Sequence, residues 1–429
     1  MECRDLDLTI SRLGPGRIPS LMSGVHFIND DEHVLYHSDL REIQSCLDAG
    51  IKPPCFEMAG PREKIYFDPS KLKCGIVTCG GLCPGLNDVI RAIVLSLFHH
   101  YGVRTVFGFR YGFEGLSHKY GHVPMALTPE VVEDIHQKGG TILGSSRGPQ
   151  DVPEMVDNLE RMNIGILFAI GGDGTLRGAH AISEEIGRRN LKIGVIGIPK
   201  TIDNDISYVE QSFGFETAVG EARKAIYSAH AEAVGARNGI GLVKLMGRYS
   251  GFIAAYAGLA NSDVNVCLVP EVPFTLEGFL RALTERLQKR GHAVVVVAEG
   301  AGQELIGDPQ GRDASGNIRL ADIGLFLRDQ IRSRFKDTGL EVNLKYIDPS
   351  YIIRSMPANA HDSAFCLLLG HNAVHAGMAG RTNVVVGFWK NEFTHVPITL
   401  AVSRRKQIDP VGKLWTAVLA STGQSREMR

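Results

Sequence analysis

The sequence predicts an α/β protein with two doubly wound domains, parallel central sheets and an N-terminal extension. Short apolar runs alternate with helical patterns from residue 74 onward. Most of these runs are apolar at nearly every position, which is typical of parallel strands covered on both faces. Several runs end in glycine-rich or charged segments, at the strand ends where such folds bind their ligands.

The composition excludes several classes of protein. The chain has 429 residues, of which 44% are apolar and 22% are charged, as in a soluble globular protein of two or more domains. The net charge of −1 gives no general attraction to nucleic acid or to an anionic membrane. The longest strongly apolar run, 293–298, is too short to span a bilayer, and the N-terminus lacks an apolar signal region. We therefore expect a cytoplasmic protein without nucleic-acid or membrane partners.

The cysteines form no recognisable metal or disulfide pattern. The eight are Cys3, Cys46, Cys55, Cys74, Cys79, Cys83, Cys267 and Cys366. None belongs to a C-x-x-C pair, and Cys79 with Cys83 is too isolated a pair for a zinc site. We interpret them as free buried thiols in a reducing compartment.

The apolar runs and helical patterns place the elements in order. Strands are predicted at 74–79, 104–109, 164–170, 193–198, 240–246, 293–298 and 384–388. Helices are predicted after Asn87, a candidate N-cap, and also from 176, over 216–233 and over 321–335. The predicted domains are an extension over 1–70, a domain formed by 71–214 with 353–388, and a domain formed by 215–352 with 389–429.

Four segments after predicted strands carry candidate functional residues, and the first is GGLCPG at 80–85. It lies at a helix entrance, where a tight strand-to-helix turn and a phosphate-binding turn are equally good interpretations. No G-x-x-x-x-G-K-[ST] sequence occurs in the chain, which disfavours a P-loop kinase.

The second segment is GGDGT at 171–175. Its glycines allow backbone N–H groups to approach phosphates, and Asp173 can bind Mg²⁺ directly or through water. Asp173 could instead cap the helix that follows. The double glycine weakens that alternative, because two flexible residues cost conformational entropy unless backbone access is needed.

The third segment, PKTIDND at 199–205, carries two carboxylates beside a hydroxyl and a lysine. In an extended segment the side chains of Asp203 and Asp205 point the same way, and a nearby cation would keep both ionised. One of them then suits a general base for an alcohol. An Asx-rich capped turn is the structural alternative.

The fourth segment is MGRYSG at 246–251. An arginine at a strand end, followed by small residues, is well placed to bind a phosphoryl group with two N–H groups. Taken alone, Arg248 is better interpreted as a surface arginine at a helix entrance.

In this order, the four segments resemble the phosphofructokinase family. The resemblance covers about residues 74–389 and includes GSSRGP at 144–149, AEG at 298–300 and YIIR at 351–354. Lipid and NAD kinases share GGDGT-like glycines and aspartate but lack the TIDND and MGR segments. The N-terminal 70 residues and the C-terminal tail resemble the longer, pyrophosphate-related forms. The resemblance implies Rossmann-like domains and a glycolytic phosphoryl transfer to the 1-hydroxyl of fructose 6-phosphate.

The resemblance also implies catalytic roles. Asp203 would accept the proton of the attacking hydroxyl, which Thr201 and Asp205 would orient. Gly81 would offer a backbone N–H to the moving phosphoryl group, and Arg248 would add positive charge. Such transfer depends mainly on positioning and electrostatics.

Two sets of binding residues follow from the same resemblance. Those implied for ATP are Gly81, Arg147, Gly148, Gly172, Asp173, Gly174 and Thr175. Those implied for fructose 6-phosphate are Thr201, Ile202, Asp203, Met246, Gly247, Arg248, Glu299, Lys345, Tyr351 and Arg354. Asp173 would hold Mg²⁺ on the donor phosphates. Tyr351 and Arg354 would hold the 6-phosphate, and Lys345 would reach the site of a neighbouring subunit.

The chain departs from the compact bacterial members of the family at three positions. Those members usually have His and Gly where this chain has Tyr351 and Lys200. At the spacing of their phosphate-binding arginine before MGR, this chain has Gly239. These departures concern the 6-phosphate pocket rather than the catalytic centre, and we do not carry over the effector residues of the compact members.

The choice of donor depends on Gly174 and Lys200. In the family, aspartate at the position of Gly174 accompanies pyrophosphate and glycine accompanies ATP, because a carboxylate would fill and repel the space of the α-phosphate. Lys200 is typical of pyrophosphate users, although a lysine can equally contact the β- and γ-phosphates of ATP. Steric exclusion outweighs a compatible charge, so we predict ATP with Mg²⁺.

Other functions remain as alternatives. A pyrophosphate-dependent phosphofructokinase is the first, and a non-catalytic regulatory subunit that binds sugar phosphate and nucleotide is the second. The second is disfavoured because Asp173, Asp203 and Asp205 are all present. A lipid or NAD kinase is a weaker third. The resemblance also implies a homo-oligomer, with a homodimer favoured over a tetramer.

Overall fold

The computed structural model describes residues 6–307, 311 and 318–428. The chain forms two compact units. The first runs to Thr201 and also includes Ile206–Gly214 and Met356–Arg404. The second includes Ile202–Asp205, Phe215–Ser355 and the chain from Arg405 onward.

The elements of the described residues follow in chain order. The N-terminal part contains β1 (Ile18–Pro19), β2 (His33–Leu35), α1 (Leu40–Asp48), β3 (Cys55–Met58) and β4 (Lys64–Ile65). The next part contains β5 (Lys73–Thr78), α2 (Leu86–Tyr101), β6 (Thr105–Phe109), β7 (Met125–Ala126), α3 (Val152–Arg161), β8 (Ile166–Gly171), α4 (Asp173–Arg188) and β9 (Gly194–Pro199).

The remaining elements begin at Phe215. They are first α5 (Phe215–Val234), β10 (Gly239–Leu245), α6 (Phe252–Leu259), β11 (Val266–Leu268), α7 (Leu276–Arg290), β12 (His292–Ala298), α8 (Ile323–Asp337), β13 (Asn343–Ile347) and α9 (Ser350–Arg354). They end with α10 (Ala360–Met378), β14 (Val384–Trp389), β15 (Glu392–Pro397), α11 (Ile398–Ala401) and α12 (Lys413–Thr422).

The large sheet of the first unit has the order β2-β3-β15-β14-β9-β8-β5-β6-β7 among the described residues. Its centre, from β14 to β6, is parallel, and its edges are antiparallel. Every residue of β8 and β9 is buried, as expected for parallel strands covered on both faces. From β5 the chain passes to β6, which lies on one side of β5, and it then returns to β8 on the other side of β5. The strand order therefore reverses between β5 and β8, the kind of position where doubly wound folds bind ligands.

The sheet of the second unit has the order β11-β12-β10-β13, and all its strands are parallel. Its valine-rich strand β12 is buried from Ala293 to Ala298. Two clusters of buried apolar side chains pack on this sheet, one including α5 and α6 and the other including α7 and α8. Within the part of the chain that the structure describes, every helix is too short or too polar to cross a bilayer.

The α/β class with parallel strands is confirmed, but three local predictions are wrong. Residues 389–404 belong to the first unit, because β15 pairs antiparallel with β14. The N-terminal region is not a separate extension, since β3 pairs with β15 and joins the same sheet. Asn87 does not cap α2: Gly85 is the N-cap, and the Asn87 side chain binds Lys138 and Ile142 of a distant loop.

The described cysteines agree with the interpretation as thiols. Seven lie in the described residues, all as free thiols, and all but Cys55 are buried. Cys3 lies outside the described residues.

Buried charged side chains connect the N-terminal strands to the rest of the first unit. The Glu57 side chain on β3 is 8% exposed and accepts hydrogen bonds from Arg381 Nε at 2.9 Å and Arg12 Nη2 at 2.8 Å. His395 Nδ1 lies 2.8 Å from the same carboxylate. Burial raises the pKa of Glu57, but the hydrogen bond from His395 and the charge of Arg381 outweigh burial and hold this pKa well below its usual value. Burial lowers the pKa of His395, against the hydrogen bond and the charge of Glu57, and the charges of Arg381 and Arg62 add to the lowering.

Glu57→Gln should destabilise the first unit by about 3–5 kcal/mol, because the variant removes the buried one of the two carboxylates, Glu57 and Asp30, that balance the charge of Arg381. Since the folded-state pKa of Glu57 lies below its usual 4.5, its contribution is present above that pH and is lost as the pH falls through the folded-state value. Urea unfolding followed by circular dichroism at neutral pH measures the loss. Glu160→Gln, on the exposed face of α3, is the control and should change stability by less than about 0.5 kcal/mol. Equal effects of the two substitutions would contradict this account.

Candidate active site

Three neighbouring strands of the first unit end in the predicted phosphate-binding turns. β9, β8 and β5 are adjacent and parallel, so their carboxyl ends lie side by side. These ends lead into Lys200, the 172–175 segment and Gly81. Lys200 Nζ donates to the carbonyl of Gly81 at 2.6 Å, and Lys200 N donates to the carbonyl of Gly171 at 3.0 Å. The structure thus brings these three predicted segments together.

The loop that contains Arg147 and Gly148 joins the same end of the sheet. Gly80 N donates to the carbonyl of Ser146 at 3.1 Å, and Ser145 Oγ donates to the carbonyl of Gly80 at 2.5 Å. Arg147 itself is exposed in this loop. An exposed guanidinium at a glycine-rich turn is suited to bind phosphate.

The GGDGT segment forms the start of α4. Gly172 is the N-cap, and Asp173 is the first helical residue rather than a cap. The backbone N–H groups of a first helical turn have no partner within the helix, and the helix dipole favours an anion beside them. Gly174 and Thr175 lie in that first turn. The sequence-based alternative of a capping Asp173 is therefore wrong.

The fold does not require glycine at position 174. A Cβ atom built on Gly174 has no heavy atom within 4 Å, and the residue is exposed. By contrast, a Cβ atom on Gly171 would lie 2.2 Å from Thr175 Oγ1. Packing therefore explains the glycine at 171 but not the one at 174.

The residues present fit a magnesium ion that arrives on a phosphate chain. Among the described residues, no three His, Cys, Asp or Glu side chains are grouped as a metal site. Mg²⁺ usually binds one or two carboxylates together with substrate phosphates rather than an all-protein cage. The Asp173 side chain is 25% exposed at the helix start, and its Oδ2 lies 3.1 Å from Arg177 Nε. A single accessible carboxylate beside anion-binding N–H groups matches that mode of binding.

In the second unit, the parallel strands β10 and β12 end at the same edge of the sheet. Leu245 is paired with Ala298, so the segment Met246-Gly247-Arg248 lies beside Glu299. Gly300 N donates to the carbonyl of Gly247 at 3.0 Å. A Cβ atom on Gly300 would lie 1.9 Å from the carbonyl oxygen of Arg248, so this contact requires glycine. The structure thus places the MGR segment next to Glu299.

Asp203 lies in the same unit with a carboxylate oxygen that lacks a hydrogen-bond partner. Arg248 N donates to Oδ2 at 3.4 Å, whereas Oδ1 is buried and accepts no hydrogen bond. Burial and the negative charges of Asp205 and Glu299 raise the pKa of Asp203 well above its usual range, against the Arg248 hydrogen bond and the charge of Arg405. A carboxylate in this environment is a strong proton acceptor.

Lys244 organises the end of the unit that carries Tyr351 and Arg354, and the sequence analysis missed it. Lys244 Nζ lies 2.8 Å from both Asp322 and Asp348. Asp348 Oδ1 in turn accepts hydrogen bonds from the backbone N and the side chain of Ser350 at the start of α9. A lysine inside an otherwise apolar strand was the available signal, since such a charge needs partners.

The predicted 6-phosphate residues lie on the short helix α9. Tyr351 is 78% exposed, and the guanidinium of Arg354 lies 4.8 Å from the centre of its ring. Burial raises the pKa of Glu299, while the charges of Arg248, Lys244 and Arg354 oppose this rise. Arg354 therefore acts electrostatically on the group that contains Glu299.

Other predicted residues lie outside the groups just described. Lys345 lies on the edge strand β13 and is paired with Gly241 of β10, which lies about 13 Å along β10 from Leu245. Lys345 Nζ lies 3.8 Å from Glu232. Ile202 packs its half-buried side chain on the core of the second unit.

Thr201 is the last residue of the first of the three chain segments that form the first unit. The carbonyl oxygen of Thr201 accepts a hydrogen bond from Ser212 Oγ. This contact anchors the backbone of the PKTIDND segment at its centre.

Comparison with known proteins gives one family for the chain. Residues 73–377 match the family model described as Phosphofructokinase. A protein of Borreliella burgdorferi named ATP-dependent 6-phosphofructokinase is 51% identical, over 94% of this chain and 92% of its own length. A protein of Amycolatopsis methanolica with the same name is 50% identical, over 98% of this chain and 95% of its own length.

A solved structure extends the comparison to the fold. The crystal structure of a pyrophosphate-dependent phosphofructokinase from Nitrosospira multiformis aligns with a TM-score of 0.68 at 18% identity. The alignment covers 83% of this chain and 92% of that one. At this identity the likeness concerns the fold alone. The family match and the two relatives, with the strand-end groups described above, place this chain in the phosphofructokinase family.

Proposed function

We propose that this protein is an ATP-dependent 6-phosphofructokinase, which transfers the γ-phosphoryl group of ATP to the 1-hydroxyl of fructose 6-phosphate. The observation that carries the proposal is the buried carboxylate of Asp203, whose Oδ1 accepts no hydrogen bond and whose pKa is raised. Such a group is suited to take a proton from an alcohol. The names of relatives about half identical to this chain support the substrate and the donor.

The reaction assigns a task to each predicted catalytic residue. The hydroxyl oxygen attacks the γ-phosphorus, the bond from phosphorus to the β–γ bridging oxygen breaks, and ADP leaves. Asp203 takes the hydroxyl proton while Thr201 and Asp205 orient the hydroxyl. Arg248 and the N–H of Gly81 stabilise the charge of the moving phosphoryl group.

Mg²⁺ belongs to the donor side of this proposal. Asp173 would hold the ion, and the ion would neutralise charge on the donor phosphates. The first-turn N–H groups of Gly174 and Thr175 would bind the same phosphates. Arg147 and Gly148 complete the set that we assign to ATP.

The choice of ATP rests on Gly174. The structure offers no packing reason for glycine there, which supports a role in admitting the α-phosphate. Lys200 is the observation in favour of pyrophosphate. Its ammonium group is hydrogen-bonded to the carbonyl of Gly81 at 2.6 Å, a position compatible with the terminal phosphates of either donor.

The sugar side of the proposal lies on the second unit. Met246, Gly247, Arg248 and Glu299 would line the sugar, with Ile202 beside Asp203. Tyr351 and Arg354 would hold the 6-phosphate. The exposure of Tyr351 and the position of Lys345 on an edge strand support a site completed by another subunit, and we propose a homodimer.

The thiols support a proposal for the compartment. None of the seven described cysteines forms a disulfide, which suits a reducing environment. We therefore place the enzyme in the cytoplasm. Attachment of a fluorescent protein to the chain in its own cell tests this placement.

Purified protein should phosphorylate fructose 6-phosphate with ATP and Mg²⁺, and pyrophosphate should give little or no product. A coupled assay for fructose 1,6-bisphosphate with the two donors side by side measures both rates. Product with pyrophosphate but not with ATP would show that the donor is pyrophosphate rather than ATP. Binding of both substrates without product would favour the regulatory subunit.

Gly174→Asp should abolish use of ATP, because the carboxylate enters the space of the α-phosphate and repels it. The variant should fold, since a side chain at this position meets no heavy atom within 4 Å. Gly187→Asp is the matched control: it lies on the same helix with the same open surroundings, and it should retain ATP kinetics. Unchanged KM and kcat for ATP in Gly174→Asp would remove the steric account.

Asp203→Asn should lower kcat by at least about a hundredfold, because the amide cannot accept the proton. In the wild type, kcat/KM should fall as the pH decreases through the raised pKa of Asp203. This fall, the acid limb of the pH profile, should lie well above the ordinary carboxyl range near pH 4. Rates of both proteins over a range of pH measure both effects. Asp329→Asn, at an exposed position of α8, should leave kcat unchanged. A change confined to KM would remove Asp203 from the role of base.

A further inference from the structure

The tail segment 405–408, which received no role from the sequence, is hydrogen-bonded to the parts of the second unit that carry the catalytic side chains. Lys406 N donates to the carbonyl of Asp205 at 2.8 Å. Gln407 Nε2 donates to the carbonyl of Tyr249 at 3.0 Å. The tail therefore contacts both the DND segment and the MGRYSG segment.

A buried glutamate extends this contact. Glu271 Oε1 accepts hydrogen bonds from Ile408 N at 2.9 Å and from Gly251 N at 3.0 Å. Ser250 Oγ donates to the carbonyl of Lys406 at 2.5 Å. The last two residues of the MGRYSG segment are thus held by the tail and by a carboxylate that the tail shares.

Arg405 is the residue of the tail that reaches a catalytic carboxylate directly. Its Nη1 lies 2.7 Å from Asp205 Oδ2, and the side chains are 33% and 7% exposed, respectively. Its guanidinium also lies 4.4 Å from the centre of the Tyr249 ring. An arginine held between a carboxylate and an aromatic face has lost most of its freedom, so it can fix the position of both partners.

The charges around Asp203 show why such a residue is needed. The carboxylates of Asp205 and Glu299 act on it with negative charge, whereas the backbone N–H of Arg248 and the positive charge of Arg405 act against them. Arg248 is the cation assigned to the moving phosphoryl group. Arg405 is hydrogen-bonded to Asp205 and can offset the repulsion that Asp205 exerts on Asp203.

We propose that Arg405 is a positioning residue for phosphoryl transfer: it holds the Asp205 carboxylate and the Tyr249 ring, and its charge keeps Asp203 able to accept a proton near neutral pH. The inference rests on the proposed function. Arg405 touches neither the hydroxyl nor the phosphate in this account. It acts on the reaction through Asp205 and Asp203.

Arg405→Gln in the full chain tests the proposal. Without the arginine charge, the acid limb of kcat/KM for fructose 6-phosphate should move up by about one pH unit. The rate near pH 7 should then fall about tenfold and recover to within about twofold where the base is fully ionised. KM for ATP should not change. Arg405→Lys, which keeps the charge, should restore the acid limb to that of the wild type.

Arg404→Gln is the matched control. The guanidinium of the neighbouring arginine lies 5.2 Å from the ring of Tyr208 in the first unit, and its loss should not move the acid limb. An unchanged limb in Arg405→Gln, or an equal loss of rate at every pH, would overturn the proposal.

Further variants separate a catalytic role from a role in folding. If Arg405→Gln does not fold, Arg405→Met, which keeps a long side chain over Tyr249, takes its place with the same expected shift. Failure of both neutral variants to fold, with Arg405→Lys folded, would assign Arg405 to stability alone and overturn the proposal. A wild type that does not phosphorylate fructose 6-phosphate contradicts the proposed function instead.

Discussion

The parallel pairing of the strands determines which functional segments of each unit lie next to one another. In the first unit, β9, β8 and β5 are paired in register, and their ends place Lys200, the start of α4 and Gly81 side by side. In the second unit, the pairing of β10 with β12 does the same for Arg248 and Glu299. Because the central strands are buried and mostly apolar, most of the polar residues of these groups follow the strand ends. A sheet slipped by one residue would separate the groups on which the chemistry depends.

Electrostatic balance is the second constraint, and it concerns Asp203. A buried carboxylate beside two others is unfavourable unless cations offset the repulsion. Arg248, Arg405 and the Lys244 ammonium supply positive charge within the second unit. The proposed base is therefore poised between two protonation states, which suits a group that must take up a proton and release it in each turnover.

Local sequence patterns identified the buried strands well, because a short, continuous apolar run is stable in a strand only where both of its faces are covered. The predicted strand 193–198, for example, corresponds to Gly194–Pro199. The edges of the sheet were missed for a physical reason. β15 has the sequence EFTHVP, in which glutamate, threonine and histidine interrupt the apolar residues, and β3 has only 4 residues, so neither resembles an apolar central strand. Asn87 was misread because its side chain has partners about 50 residues away rather than in its own helix.

The sequence by itself determined the order of the turns, the residue types within them and the family, because these depend on contiguous residues with a local chemical meaning. Tertiary structure decided the contacts between distant parts of the chain. Arg405 meets Asp205 across 200 residues, and Lys244 meets Asp322 across 78. Such pairs form only when the sheet and its helices have packed. A lysine inside an apolar strand indicates that it needs a partner, but neither that lysine nor an arginine in a polar segment identifies the partner. The open surroundings of Gly174 also became visible only when the neighbouring atoms were placed.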